Sequence, residues 1–176
     1  MRVVAGELRG RPLAAPRGAR TRPTSDRVRE AAFAILGDVS GARVLDLYAG
    51  SGALGIEALS RGAASAEFVD SSPAAVRTIG DNLDRLGLSA PVRRRDALAW
   101  LADAADGATF DLVFADPPYD AAPTAGPRLA ELLPSVLTEE AVIVTESNKS
   151  SPLELPFPVL RERTYGDTRI AVHRHG

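Results

Sequence analysis

The segment Asp116-Pro117-Pro118-Tyr119 combines residue types that could hold a flat polar group, and it directly follows the apolar run 110–115. Proline fixes φ near about −65° and has no N–H, so two prolines set a stiff turn and leave neighbouring carbonyls free as acceptors. The aspartate adds a charged acceptor and the tyrosine adds a ring face. This combination suits the exocyclic amine of a nucleobase that stacks on the ring. An ordinary β-turn with proline at its corner is the alternative.

A second segment, residues 44–55, predicts a short buried strand, a glycine turn and a helix that begins near Ala53. Gly50 and Gly52 would let a ligand approach the backbone closely. The pattern G-x-G-x-x-G, followed roughly 20 residues later by an acid, is typical of a dinucleotide site. Asp70 occupies that later position, at the end of the next apolar strand. On these two signals a nicotinamide enzyme stays open.

Carboxylates also lie at the ends of the other predicted strands. Four successive predicted strands end at or beside an aspartate: Asp46, Asp70, Asp96 and Asp116. The carboxyl ends of parallel strands form the edge where open α/β sheets bind ligands. Such an edge repels a pyrophosphate and attracts a cationic sulfonium that carries an amino-acid group, a ribose and an adenine.

These residues resemble the S-adenosylmethionine-dependent methyltransferases of the Rossmann-like class that carry a D/N-P-P-Y/F/W motif. Over nearly the whole chain, the sequence resembles the bacterial small-subunit (16S) ribosomal RNA guanine-N2 methyltransferase family, RsmD. The family-specific stretches are residues 2–11 and 22–30. The resemblance implies an α/β class I methyltransferase fold, with a seven-stranded, mostly parallel sheet that ends in an antiparallel hairpin, and a small N-terminal hairpin extension.

The resemblance also implies roles for individual residues. S-adenosylmethionine would lie over the loop, with its amino group near Asp46, its ribose on Asp70 and its adenine amino group on Asp96 and Ala97. The residues implied to bind the cofactor are Asp46, Ala49, Gly50, Ser51, Gly52, Asp70, Asp96, Ala97 and Asp116. Asp96 could equally be the N-cap of the following helix. The family often has a second acid after the ribose ligand, whereas this chain has Ser71-Ser72.

The implied reaction transfers a methyl group to the exocyclic N2 amine of a guanine in 16S ribosomal RNA. Hydrogen bonds from the amine to the Asp116 carboxylate and the Pro117 carbonyl would stabilise positive charge that develops on nitrogen. Pro118 would stiffen the turn, and Tyr119 would stack on the base. No strong base is needed, because the product ammonium is very acidic.

The charge distribution points to RNA. The net charge is −2, but residues 1–43 carry nine arginines against four acids, whereas the remainder has twelve basic and nineteen acidic side chains. We therefore expect a basic extension, 1–24, to grip RNA in front of a methyltransferase domain, 25–176. The expected substrate-binding residues are Arg9, Arg11, Arg20, Arg22, Pro23, Thr24 and Tyr119. Arginine-rich genome composition is the alternative, since Lys149 is the only lysine.

Composition argues against metal sites, disulfides and membrane spans. The chain has no cysteine, so thiolate metal sites and disulfides are excluded. We expect His173 and His175 to lie on the surface without metal. No apolar run approaches the roughly 18 residues of a membrane span, so a cytoplasmic location is expected. The sequence does not constrain the oligomeric state, and a monomer is the default expectation. An arm this small would recognise little sequence, which favours the assembled or assembling 30S subunit as the substrate.

The remaining pattern predicts several elements. Residues 2–5 would pair with 11–14 as a hairpin, and Thr24 or Ser25 would cap a helix. Further along we expect a helix closed near Gly87, a crossover helix, a buried strand, a surface loop and a terminal hairpin around Gly166-Asp167. Their ranges are 73–87, 127–134, 141–146, 147–158, and 159–165 with 168–174.

Other functions remain as alternatives. A DNA adenine-N6 or cytosine-N4 methyltransferase shares the four-residue motif but usually carries a sizeable recognition insertion. An RNA adenine-N6 methyltransferase and a non-catalytic RNA-binding ribosome assembly factor are also possible. A protein glutamine methyltransferase would be expected to have Asn at position 116, and a nicotinamide oxidoreductase leaves the motif unexplained.

Overall fold

A seven-stranded sheet with helices on both faces organises the chain. The structure is a computed structural model that describes residues 1–18, 24–104 and 107–176. The strands are β1 Arg43–Leu47, β2 Ser65–Asp70, β3 Val92–Arg94, β4 Phe110–Ala115, β5 Leu137–Asn148, β6 Val159–Tyr165 and β7 Thr168–Arg174. The helices are α1 Asp26–Leu36, α2 Ala53–Ser60, α3 Pro73–Leu86, α4 Ala97–Asp103 and α5 Ala122–Leu132, the last followed by a 3-10 turn, Leu133–Val136.

The strand order is β3-β2-β1-β4-β5-β7-β6. Strands β1 to β5 pair in parallel, and β7 runs antiparallel to both β5 and β6. This arrangement confirms the predicted class I fold and its terminal hairpin. The order in which successive strands are added to the sheet reverses between the neighbours β1 and β4. The carboxyl ends of these two strands therefore flank the crevice where such sheets bind ligands.

Alternate side chains of each central strand pack into two separate hydrophobic cores, one on each face of the sheet. Phe68 and Phe114 pack on one face against α1, α2 and α3, whereas Leu45 and Val113 pack on the other against α4 and α5. All four side chains have 0% exposure. Burial on both faces explains why these strands are almost continuously apolar, and it fixes the sheet edge that carries the acids.

Side-chain hydrogen bonds cap helices α1 and α3 at the starting positions predicted from the sequence. Ser25 accepts from the Val28 N–H at the start of α1, and Ser72 accepts from the Ala75 N–H at the start of α3. Helix α3 ends at Gly87, which has φ 69°. Glycine adopts this left-handed conformation without a steric penalty, so the helix terminates there.

Three local predictions were wrong in whole or in part, and two of them concern the segments after β4 and β5. Helix α5 begins at Ala122 rather than Pro127, because Pro123 lies in the first turn, where a missing N–H costs nothing. The predicted surface loop 147–158 is partly buried, since β5 extends to Asn148 and the side chains of Leu153 and Leu155 join the core.

His173 was expected on the surface but is 1% exposed. It lies in β7, between β5 and β6 in the sheet, and its Nδ1 is 3.2 Å from the Phe157 carbonyl. Burial lowers the pKa of this imidazole, so the ring is held as a neutral core group. His175 is half-buried, with its Nδ1 3.0 Å from the Thr138 carbonyl.

The described part of the N-terminal extension packs tightly on the sheet domain. A single antiparallel bridge joins Arg2 and Pro12, and Val3 and Leu13 belong to the core. The backbone passes so close to α2 that a Cβ on Gly6 would lie 1.9 Å from the Ser60 carbonyl oxygen. The predicted pairing of residues 2–5 with 11–14 is thus present only as this one bridge, and the division at residue 24 stays a prediction.

A buried carboxylate anchors this extension. The Glu57 side chain accepts from the N–H groups of Val4 and Ala5 at 2.8 and 2.9 Å, and it also binds Arg61 and Arg29. Glu57 and Arg29 are both fully buried. Among the described helices, none is long and apolar enough to cross a membrane.

Candidate active site at the carboxyl edge of the sheet

The turn Asp116-Pro117-Pro118-Tyr119 connects β4 directly to α5. The Pro118 carbonyl accepts from the N–H groups of Ala121 and Ala122 at 2.8 and 3.1 Å, which starts the helix. Pro117 is buried, Pro118 is exposed and Tyr119 is 38% exposed. The motif therefore presents a rigid backbone corner with an accessible aromatic side chain next to it.

Asp116 shares a small cavity with a second acid, Glu146. These residues directly follow the paired positions Ala115 and Thr145 of the parallel strands β4 and β5. Burial, and then the charges of Glu146 and Asp46, raise the pKa of Asp116 well above its usual range. Burial also raises the pKa of Glu146, against a hydrogen bond from the Thr24 hydroxyl at 2.8 Å.

The cavity between them holds about one water, with a volume of about 10 Å³. Thr24, Val28, Ala32, Leu54, Ala115, Asp116, Val144, Glu146 and Ile170 line it. Two acids therefore face each other in a mostly apolar enclosure, which is an environment that favours a positively charged partner.

Glu146 was missed as a site residue, although the sequence contained the signal. It ends the predicted strand 141–146, so it obeys the same rule that selected the four aspartates. It contacts Thr24 across 122 positions of sequence, and this pairing could not be inferred from spacing. The structure thus adds a fifth carboxylate to the predicted edge.

Asp46 lies inside the domain, with 2% exposure. Among the described residues, its carboxylate accepts one hydrogen bond, from the Gly55 N–H at 2.9 Å. Burial raises its pKa from 3.8 to about 8, the Gly55 bond opposes the rise and the Asp70 charge adds to it. A buried carboxylate with one hydrogen bond retains lone pairs for a further donor, so the position fits an ammonium group.

Asp70 holds the glycine loop in place. One of its carboxylate oxygens accepts from the Gly50 N–H and the other from the Ser72 N–H, both at 2.8 Å. Each oxygen keeps a lone pair, so binding of ribose hydroxyls remains compatible with this structural role. The predicted ribose ligand therefore also shapes the loop above which the cofactor would lie.

Gly50 in the loop and Gly55 in the first turn of α2 serve two different purposes. A Cβ on Gly50 would meet no atom closer than the Tyr48 carbonyl oxygen at 4.0 Å, so this position leaves space for a ligand. A Cβ on Gly55 would lie 2.4 Å from the ring of Phe68, so this position permits close packing of α2 on β2.

The other two loop residues are buried at its base. Ala49 donates its N–H to the Val69 carbonyl at 3.2 Å, and the Ser51 carbonyl accepts from the Asn82 amide at 2.9 Å. The same Asn82 side chain exchanges two hydrogen bonds with the backbone of Ala14. One buried amide thus ties the loop, α3 and the N-terminal extension together.

Asp96 is the N-cap of α4, with its carboxylate 2.9 Å from the Ala99 N–H. It is exposed, while the following Ala97 is buried. Burial, and then the charge of Asp96, raises the pKa of Tyr48 to about 12. Tyr48 has φ 57°, an unusual conformation for a bulky residue that the glycine-rich pattern did not predict. A strained aromatic residue beside the predicted adenine ligand is a second addition to the site.

The six predicted RNA-binding residues of the extension fall into three groups. Arg9 and Arg11 are exposed on the extension, and the Arg11 guanidinium donates to the Arg85 carbonyl at 2.7 Å. Thr24 reaches the Asp116 cavity. Arg20, Arg22 and Pro23 lie outside the described residues. Among the described residues, there is no direct contact between Arg9 on the extension and the acids of the cavity.

Comparison with known proteins identifies the family. The family described as "Conserved hypothetical protein 95" matches residues 1–174. The chain belongs to this family. A relative from Bacillus subtilis (strain 168), provisionally named rRNA methyltransferase YlbH, is 42% identical, with 99% of this chain and 98% of the relative covered. Ribosomal RNA small subunit methyltransferase D of Haemophilus influenzae is 35% identical, with 94% and 89% covered.

Solved structures agree with this membership. The Escherichia coli protein yhhF, provisionally described as a methyltransferase, has a TM-score of 0.83, with 33% identity and coverage of 99% of this chain and 97% of that one. The family, the fold and the enzyme class predicted from the sequence, a methyltransferase, are confirmed. The Bacillus subtilis relative and the Escherichia coli structure thus each match 99% of this chain.

Proposed function

We propose that this protein transfers a methyl group from S-adenosylmethionine to the exocyclic N2 amine of a guanine in 16S ribosomal RNA, within the assembled or assembling 30S subunit. The observation that carries the proposal is the Asp116 carboxyl. It directly follows β4 in front of the Pro117-Pro118-Tyr119 turn and lines a small cavity together with Glu146. Family membership and the names of the relatives supply the substrate class.

The acids of the edge fit a cationic methyl donor. S-adenosylmethionine supplies, when bound, a methyl group that its sulfonium already activates. Asp46 would bind the ammonium group, Asp70 the ribose hydroxyls, and Asp96 with the Ala97 backbone the adenine amino group. The raised pKa values of Asp46 and Asp116 show that negative charge is costly here without a cation. Positive charge among these acids would lower their pKa values and restore the carboxylates.

The Asp116 turn would act on the nucleophile. The Asp116 carboxylate and the Pro117 carbonyl would accept the two N–H bonds of the guanine amine, and the exposed Tyr119 ring would stack on the base. These acceptors stabilise positive charge that builds on nitrogen as the lone pair attacks the methyl group in line. The proton would leave afterwards, so no residue needs to act as a strong base.

A methyl-transfer assay with labelled S-adenosylmethionine tests this function. Undermethylated small subunits, their naked RNA and duplex DNA would be offered in parallel, followed by mass spectrometry of the nucleosides. We expect N2-methylguanosine from subunit RNA. Methylated adenine or cytosine would contradict the target, and cofactor binding without transfer to any substrate would favour a non-catalytic assembly factor.

The Asp116→Ala variant tests the assigned residue. Loss of one electrostatic contact of this kind typically costs about 10²–10³ in rate, so we expect kcat to fall by that amount while cofactor affinity changes little. Asp81→Ala, which removes an exposed carboxylate from α3, is the matched control and should keep full activity. Full activity of Asp116→Ala would exclude this mechanism. The cytoplasmic location and the monomeric state remain predictions.

A further inference from the structure

A groove lies between α1 and the edge strand β6, apart from the acidic cavity. Its volume is about 350 Å³, and it is lined by Ala31, Ala34, Ile35, Arg161, Arg163 and Tyr165. The helix contributes an apolar wall and the strand contributes two guanidinium groups and an aromatic ring. This volume lies within the range of ligand-binding clefts.

Charge in the groove is of one sign. Arg161, Arg163 and Tyr165 alternate along β6 and therefore share one face of the strand. Glu162 points to the other face, where it pairs with Arg169 at 2.7 Å. Within the described residues, neither Arg161 nor Arg163 forms an ion pair. The Arg163 guanidinium donates one hydrogen bond, from Nη1 to the Glu162 carbonyl at 3.1 Å, and a guanidinium has five N–H donors, so both groups retain donors for an anion on a domain that is otherwise acidic.

The groove begins at the same edge of the sheet as the acidic cavity. Tyr165 pairs with Thr168, and Thr168 pairs with Asn148 at the carboxyl end of β5. Helix α1 separates the two sites, because Val28 and Ala32 line the cavity while Ala31 and Ala34 line the groove. A polymer that enters the acidic edge could therefore continue across α1 into the groove.

We propose that this groove binds the phosphate backbone of the RNA strand that flanks the target base. Arginine binds phosphate through two parallel N–H bonds, and the two arginines, about 7 Å apart along the strand, can hold separate phosphates. The Tyr165 ring offers a stacking surface for a flanking base. The inference rests on the proposed function, since it assigns a second contact to the same RNA substrate.

Charged residues on an edge strand also have a simpler use. They prevent pairing with the edge of another sheet, and Arg161 and Arg163 could serve that purpose alone. Edge protection requires only charge, however, and does not require a groove or an aromatic wall beside it. The two uses differ in a measurable way, because edge protection predicts no effect on RNA affinity.

The test measures binding of the full chain to naked small-subunit RNA and to assembled subunits at several salt concentrations. The test variant is Arg161→Gln/Arg163→Gln. The control is Arg43→Gln/Arg128→Gln, which changes the net charge equally at surface ion pairs on β1 and α5. Arg43 begins β1 and so lies at the opposite sheet edge from Asp46. Unfolding curves would verify that both variants fold.

The expected result follows from counterion release. Each phosphate contact with single-stranded RNA contributes about 0.7 to the slope of log K against log salt. Losing two contacts should lower the slope by about 1.4 and the affinity by about 25-fold at 0.1 M salt, if both contacts vanish at 1 M. KM should rise with kcat unchanged, and the control should match the wild type.

Two results would overturn the inference. An unchanged salt slope on both substrates would leave edge protection as the role of these arginines. A loss of affinity for assembled subunits, with wild-type binding to naked RNA, would assign the groove to a ribosomal protein. Failure of the proposed function would be distinct, because the wild type would then transfer no methyl group whatever the groove binds.

Discussion

Asp46 should make the stability of the free protein fall as the pH rises. Its pKa is 3.8 when unfolded and about 8 in the folded domain, where the side chain is 2% exposed. Between these values the folded state binds more protons than the unfolded state, so stability is greatest below about pH 4 and declines until about pH 8. The group contributes about 1.4 kcal/mol of change per pH unit inside this window.

The Asp46→Asn variant isolates this effect. Asparagine keeps an oxygen for the Gly55 N–H and cannot ionise. From pH 5 to pH 7, the free energy of unfolding of the variant relative to the wild type should therefore increase by about 3 kcal/mol. Relief of the Asp46 charge on Asp116 acts in the same direction, because that charge raises the pKa of Asp116.

Urea unfolding at pH 5, 6 and 7 measures this difference. The control is Asp81→Asn, an exposed carboxylate on α3, which should differ from the wild type by at most about 0.5 kcal/mol at every pH. If the difference between Asp46→Asn and the wild type is the same at all three values, Asp46 is ionised throughout. The electrostatic argument for a cationic ligand at this position would then fail.

Two further substitutions test other buried carboxylates. Glu146→Gln removes the neighbouring charge that raises the pKa of Asp116, so the acidic limb of the activity profile should move to lower pH; an unmoved limb would show that the Glu146 charge does not contribute to that pKa. Glu57→Gln removes the fully buried carboxylate beside the buried Arg29, which then keeps only the partly exposed Asp26, and should cost about 3–5 kcal/mol in urea unfolding at pH 7, whereas Glu131→Gln at a surface pair should cost less than about 1 kcal/mol. A surface-like cost for Glu57→Gln would mean that the extension is not anchored through this side chain.

Much of the sheet could be predicted because its signals are local. Each central strand is a short apolar run between turn residues, and each acid at a strand end marks the same sheet edge. Caps such as Ser72 and Gly87 fixed helix α3 at both ends. The terminal hairpin followed from the Gly166-Asp167 turn. In these cases a few neighbouring residues decide the backbone conformation, so tertiary contacts are not needed to locate the element.

Burial was harder to predict than the elements themselves. The segment after β5 has the polar and proline-rich composition of a surface loop, but Leu153 is fully buried because α5 packs against it. A Cβ on Gly126 of α5 would lie 2.7 Å from the Glu154 carbonyl oxygen, which shows how closely the loop and helix approach. His173 is a similar case, because its burial depends on the antiparallel pairing of β7 with both neighbours.

The site itself depends on contacts that spacing does not reveal. Thr24 reaches Glu146 across 122 positions, Ala14 reaches Asn82 across 68 and Val4 reaches Glu57 across 53. All three join the first residues of the chain to elements that carry the acidic edge. The extension expected to grip RNA is therefore also part of the framework that holds the glycine loop and the Asp116 cavity. RNA that binds this extension would therefore act on two sets of hydrogen bonds, one from Ala14 through Asn82 to Ser51 and one from Thr24 to Glu146, and could shift both residues of the site.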